Sequence, residues 1–253
     1  MKIIIAPARN MKADPDSLPI QGLPQFLPQT ETILDYLRSL SYDQLHHLWW
    51  DCSEKIAIPN YQWVQQMDLY HQLTPALLAF TGLQYQRMAP GVFDEKALGY
   101  VQDHLRILSG FYGLLRPFDG IVSYRLGMGD RAKVAGTRNL YEFWGSRLAD
   151  ELYAQDELVL NLASKEYAKA VIPYVKGKRQ LISCTFVKAE HGRFKTQATR
   201  AKIARGNLVR YLAERQADDL AVVKQFDLGY HYDEQASTND NLVFVAAYDG
   251  KRE

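Results

Sequence analysis

The sequence predicts an α+β fold in a single compact domain, with a mixed β-sheet surrounded by helices. Three observations point there. Short apolar, β-branched runs alternate with longer segments of helical period, but not as regular strand–helix–strand units. The 253 residues can bury one large core, and no composition break, internal repeat or low-complexity tract divides residues 1–253. Hydrophobic residues make up 47% and charged residues 23%, the balance of an ordinary globular protein.

The elements follow in order. Residues 2–6 are β-branched and read as a buried strand. Residues 14–28 hold four prolines and form an extended connection. A helix runs from Thr30 to Leu40, with Ile33, Leu34 and Leu37 on one face. Ser41 caps a second helix over 42–52. Pro59-Asn60 starts a third, striped by Trp63, Val64 and Met67. Thr74-Pro75, a cap followed by a first-turn proline, opens a short helix to Phe80. Asp94 opens a helix to about Leu108, and residues 139–154 form another. The period then shortens. Strands are predicted at Leu158–Leu162 and Leu181–Val187, with a turn at His191-Gly192, a basic helix over 197–215 and a late strand at Leu242–Ala247.

Bulk charge excludes little, because the net value is only +1. Its distribution says more. Residues 176–215 carry eleven Lys/Arg against Glu190 and Glu214, a local balance of +9, so the remainder sums to −8. A basic stretch in an acidic chain is a localised anion-facing surface. Cys52 and Cys184 lie far apart with no CxxC pair, so neither a disulfide nor a zinc or iron–sulfur site is expected. MKIIIAPARN lacks the apolar stretch and cleavage site of a signal peptide, and no run reaches membrane-spanning length. The expected location is the cytoplasm, away from any membrane.

The densest motif is HLRILSGFYGLLRPFDGIVSYRLGMG, from His104 to Gly129. It mixes three arginines, five glycines and one proline with large apolar side chains. Glycine permits tight turns and close backbone approach. Arginine in the same turns offers a planar fork for phosphate or carboxylate. Arg106, Arg116 and Arg125 are therefore expected on one concave, positively charged wall, with Gly110, Gly113 and Gly127 at tight positions. In NLASKEY (161–167), Ser164 follows a strand and caps a helix whose N-terminus favours an anion, with Lys165 and Lys169 adding charge. The lack of GxSxG argues against a nucleophilic serine. Lys202 and Arg205 share a face of the basic helix at i, i+3, and Arg210 follows. His47 and Asp51, at i, i+4 beside His46, specify no third ligand, so no metal and no cofactor are assigned. Residues 42–67 have the spacing of a helix-hairpin-helix element with SEKIAIPN as its turn, but Ile58-Pro59 stands where a hairpin glycine is usual, and proline removes a donor.

These stretches together resemble the YaaA family of bacterial peroxide stress proteins. The matching residues are Pro7-Ala8 after the first strand, the whole 104–129 run, NLYEFWG at 139–145, NLASKEY at 161–167, KIARG at 202–206, and GYHYDE with LVF at 229–234 and 242–244. They cover nearly the full length in the family's order. Arg9 replaces a common lysine, and Ile58-Pro59 replaces the hairpin glycine. The resemblance implies a cytosolic protein that protects against hydrogen peroxide by limiting iron-dependent damage. It also implies a deep basic cleft, and binding to duplex DNA without sequence preference. On that reading Arg9, Arg106, Arg116, Arg125, Ser164, Lys165, Lys169, Lys202, Arg205 and Arg210 contact phosphate, and the chain is expected to act as a monomer. The other reading is an enzyme for a small phosphorylated or carboxylated substrate held in the same arginine-lined cleft, with no catalytic residue assigned.

Overall fold

A computed structural model describes residues 1–190 and 193–247. The predicted turn at His191-Gly192 lies outside the described residues. In chain order the elements are β1 (Lys2–Ile5), α1 (Leu27–Ser39), α2 (Tyr42–Leu48), α3 (Glu54–Gln66), β2 (Thr74–Pro75), α4 (Ala76–Ala79), α5 (Leu83–Met88), α6 (Glu95–His104), β3 (Leu105–Ser109), β4 (Gly113–Leu115), β5 (Gly120–Ile121), α7 (Leu140–Trp144), α8 (Arg147–Leu152), β6 (Leu158–Asn161), α9 (Lys165–Ala168), β7 (Gln180–Glu190), β8 (Arg193–Lys195), α10 (Ala198–Arg215), α11 (Leu220–Lys224), β9 (Tyr230–Thr238) and β10 (Asn241–Ala246).

The α+β, mixed-sheet expectation holds. Among the described residues the main sheet has eight strands in the order β4-β3-β1-β6-β7-β10-β9, with β8 paired to β7. The middle is parallel: β3 with β1, β1 with β6, β6 with β7 and β7 with β10. The edges β4 and β9, and the short β8, are antiparallel. Ile3, Ile4 and Ile5 of the central β1 are fully buried, as a parallel strand covered on both faces requires. The chain leaves β1 for β3 on one side and later returns to β6 on the other. Strand order therefore reverses between β1 and β6, and the carboxyl ends of such strands open a crevice in parallel sheets.

Several predicted boundaries move. The helix opened by Asp94 stops at His104, and Leu105–Ser109 is a strand, because Leu105, Arg106 and Ile107 pair with Ile3, Ile4 and Ile5. The sheet pairing overrides the local helical pattern. The predicted 139–154 helix is two, broken where Gly145 turns through φ 53°. Thr74-Pro75 pairs with Gly120-Ile121 as a two-residue strand, so the short helix begins one residue later.

The largest correction concerns the helix-hairpin-helix element. SEKIAIPN is not a turn: α3 already starts at Glu54, and Pro59 lies inside it. The hairpin is instead Trp49–Ser53, where Trp50 and Asp51 both adopt positive φ (61° and 50°). The backbone amides of Trp49, Trp50 and Asp51 donate to carbonyls of Leu45, His46 and His47. They are engaged within the chain and are not open to a phosphate.

Candidate functional site

A cleft opens where the topology places it, at the carboxyl ends of β1 and β6. Its volume is about 730 Å³. Residues 6–10 after β1 form one wall, and Ser164, Glu166 and Tyr167 after β6 form another. The turn after β6 is shaped by Asn161, whose side-chain oxygen accepts from the Ala163 amide at 3.0 Å and whose Nδ2 donates to Ser183 Oγ at 3.0 Å. The segment Tyr124–Gly127 closes against the end of β3, because Gly110 has no side chain: a Cβ there would lie 2.8 Å from the Gly127 carbonyl carbon. Gly113, at φ 74°, and Gly127, against Asp130 and Glu166, are tight as expected. α10 supplies Lys202 and Arg205 by pressing Gly206 onto α5; a Cβ at 206 would sit 2.1 Å from the Gln84 carbonyl oxygen.

Five of the predicted phosphate ligands meet in this cleft: Arg9, Arg125, Ser164, Lys202 and Arg205. Ser164 occupies the N-cap position of α9, but its hydroxyl makes no capping bond. Lys165 is exposed beside it, and the Lys169 ammonium rests 4.7 Å from the centre of the Tyr141 ring; neither lines the cleft. Arg210 also lies outside, with its Nε bonded to Glu214 at 2.7 Å. Arg106 and Arg116 line a separate pocket of about 160 Å³. The expectation of one wall for Arg106, Arg116 and Arg125 is thus corrected. Arg106 stands at the start of β3 and Arg116 follows the antiparallel β4, so both lie at the opposite end of the strand from the cleft.

The electrostatics of the cleft are one-sided. Its two carboxylates serve the backbone and an indole. Asp130 accepts from the Gly127 amide at 2.7 Å and from Trp50 Nε1 at 2.9 Å, while Glu166 accepts from the Gly129 amide at 3.0 Å. Burial raises the Asp130 carboxyl above its usual range. Arg9 feels the charge of Asp130, while Arg125 and Arg205 form no salt bridge among the described residues. Among the described residues, the buried side-chain polar atoms lacking a hydrogen bond are Tyr42 Oη, Gln84 Nε2, Arg125 Nε and Arg205 Nε, and the last three belong to cleft residues. Burial pushes the Arg205 pKa down, which means the site disfavours its charge as it stands. A buried donor left unmatched costs about 1–3 kcal/mol.

Composition of charge alone could not reveal three lining residues. Gln84 sits in a short helix with no motif around it. Trp50 is 53% exposed and carried by the left-handed hairpin, with the Arg131 guanidinium 4.2 Å from the centre of its ring. Tyr167 is half-buried, and burial raises its pKa well above the usual range. No signal for metal emerges from the histidines: His47 Nε2 lies 2.9 Å from Arg131 Nη1, and His46 Nε2 faces the Cys52 carbonyl. Among the described residues no cluster of three or more metal-ligating side chains forms, and no helix is long and apolar enough to cross a membrane. Cys52 and Cys184 are free thiols.

The fold defines an α+β protein with a cleft at the switch point of a mixed sheet, where Arg9, Arg125, Lys202 and Arg205 lie beside Asp130 and Glu166. The family model described as "Peroxide stress protein YaaA" matches residues 1–236, and the chain belongs to that family. It is 59% identical over 245 residues to a UPF0246 protein of Limosilactobacillus reuteri, covering 96% of this chain and 98% of that one. A UPF0246 protein of Lactiplantibacillus plantarum is 49% identical over 246 residues, covering 97% and 99%. That of Lactobacillus helveticus is 45% identical over 253 residues, covering both chains in full.

Proposed function

We propose that this peroxide-stress family member binds the phosphates of DNA in its cleft, without regard to base sequence, and so limits iron-dependent oxidative damage in the cytoplasm. One observation carries the reading. Arg9, Arg125, Lys202 and Arg205 converge without a salt bridge among the described residues, Arg9 feeling the charge of Asp130, while the oxygens of the cleft's two acids accept from backbone amides and an indole. Cations outside salt bridges suit a polyanion. Binding of this kind releases condensed counterions, and ferrous iron held near DNA would leave with them. Peroxide then meets less iron at the strand.

The test uses two unrelated duplexes in a fluorescence-anisotropy titration. Equal dissociation constants on the order of 10⁻⁴ to 10⁻⁶ M at physiological salt, falling steeply in affinity as salt rises, are expected. Strand nicking by ferrous iron and peroxide should decrease when the protein is added, and less so with an Arg125→Ala/Arg205→Ala variant. No binding at low salt would overturn the reading.

A second reading has a specific observation in its favour. A cleft of about 730 Å³ with buried donors has the dimensions of a small-ligand site. On that reading the occupant is a small phosphorylated or carboxylated molecule. Competition separates the two: inorganic pyrophosphate that saturates the cleft without displacing the duplex favours the small ligand.

A further inference from the structure

Trp50 is the feature the charges do not explain. An indole usually stabilises a protein by burial, yet this one is 53% exposed. It and Asp51 also hold left-handed backbone, φ 61° and 50°, which side-chain-bearing residues rarely adopt. Strain of that sort persists where the surroundings fix it, and it gathers at ligand sites. Here the fixing contacts are Asp130, which accepts from Trp50 Nε1, and Arg131, which lies over one face of the ring. Trp50 nevertheless lines the same cleft as Arg125, Lys202 and Arg205. An aromatic plate and unpaired cations in one cavity of nucleotide-accommodating size are the two halves of a recognisable ligand.

We propose that the cleft holds one nucleotide unit, with its phosphate at Arg125, Arg205 and Lys202 and its base stacked on Trp50. The inference rests on the phosphate reading above and adds the ring. Gln84, 7% exposed and with its Nε2 unmatched, adds a neutral donor that a phosphate or a base carbonyl can satisfy. Arg131 backs the indole, so the cation and the base sandwich the ring between them. The unit has two sources, a free mononucleotide or a residue of a DNA strand, and the chemistry of the site is shared by both.

Isothermal titration of the full chain with adenosine 5′-monophosphate, ribose 5-phosphate and inorganic pyrophosphate tests it. The nucleotide should bind at least about tenfold tighter than ribose 5-phosphate, the scale of one base–aromatic stack. Trp50→Ala should bring the nucleotide's affinity down to that of ribose 5-phosphate measured on the same variant, with a cooperative urea-unfolding transition showing that the variant is folded. Trp50→Phe should keep most of the preference. Equal affinity for the nucleotide and ribose 5-phosphate in the wild type would overturn the stacking and spare the phosphate reading. Failure of all three probes to bind would overturn both. A single-stranded oligonucleotide that displaces the nucleotide identifies the strand as source, and one that does not identifies the free nucleotide; either outcome supports the ring-plus-phosphate site.

Discussion

The two arginine-lined cavities of this protein are built on opposite principles. In the small pocket, Arg106 and Arg116 face Asp119 and Glu151, so charge of each sign is matched in number. Arg106 is 9% exposed, and its Nη1 donates to the carbonyls of Gln102 at 2.9 Å and Leu105 at 2.7 Å. Asp119 accepts from the Arg116 amide at 2.8 Å. In the cleft, Arg125 and Arg205 have buried Nε atoms without partners, and the carboxylates are turned to other donors. One arrangement is complete within the chain. The other leaves two buried guanidinium Nε atoms and the Gln84 amide unmatched, as the anion-binding proposal requires. The same residue type in a single 26-residue run thus divides between two cavities by its place along the strand.

Four substitutions would break or sharpen that contrast. The largest effect is expected at Gly206, where α10 touches α5. A Cβ would meet the Gln84 backbone oxygen at 2.1 Å, so Gly206→Ala must push the helices apart. A loss of about 3 kcal/mol in urea unfolding is expected, together with weaker phosphate binding, because Arg205 and Gln84 move with those helices. A fully stable Gly206→Ala protein would show that the contact is not rigid.

The next effect is a pH dependence in the small pocket. Burial raises the Asp119 pKa to about 6, against a hydrogen bond from Arg116 and the charges of Arg116 and Arg106 that lower it. The unfolded chain titrates Asp119 near the ordinary 3.8. Protonation therefore favours the folded state below pH 3.8, and that contribution is lost as pH rises through about 6. The stability of the wild type minus that of Asp119→Asn should fall by something of order 2 kcal/mol between pH 4 and pH 7. A flat difference would mean that water reaches Asp119 freely.

Two arginine replacements of one kind should then differ in sign. Arg106→Met removes bonds to two carbonyls and leaves Asp119 with less compensation, at a cost of about 2 kcal/mol. Arg205→Met removes an unmatched buried donor and should raise stability by about 1 kcal/mol while weakening phosphate binding. Chemical denaturation of both variants checks the pair. Equal losses would erase the distinction between the two cavities.

The sequence disclosed β1, β6, β7 and β10, whose apolar runs stand out without tertiary information. It disguised β3, whose LRILS continues a helical pattern and becomes a strand only through pairing with β1. The hairpin was misplaced for a related reason. Pro59 reads as a helix start, yet Ala57 and Val64 bury one face of a helix that begins before it. Of the site, the charged half was legible: Arg9, Arg125, Ser164, Lys202 and Arg205 carry their chemistry in their residue type. The division of Arg106 and Arg116 from Arg125 was not, since it depends on strand direction. Trp50 and Gln84 carry no motif. Their role comes from left-handed backbone in one case and from burial against α10 in the other.

The central claim is that the unpaired cations of the cleft, and not the basic surface in general, contact phosphate. Salt titration of duplex-DNA affinity for Arg125→Ala, Arg205→Ala, Lys202→Ala and Arg210→Ala tests it most directly. The account predicts that each cleft variant flattens the log–log slope by about one unit, equally for unrelated sequences, and that Arg210→Ala leaves the slope unchanged because Glu214 already holds that guanidinium. A slope that flattens for Arg210→Ala and stays constant for the three cleft variants would contradict it.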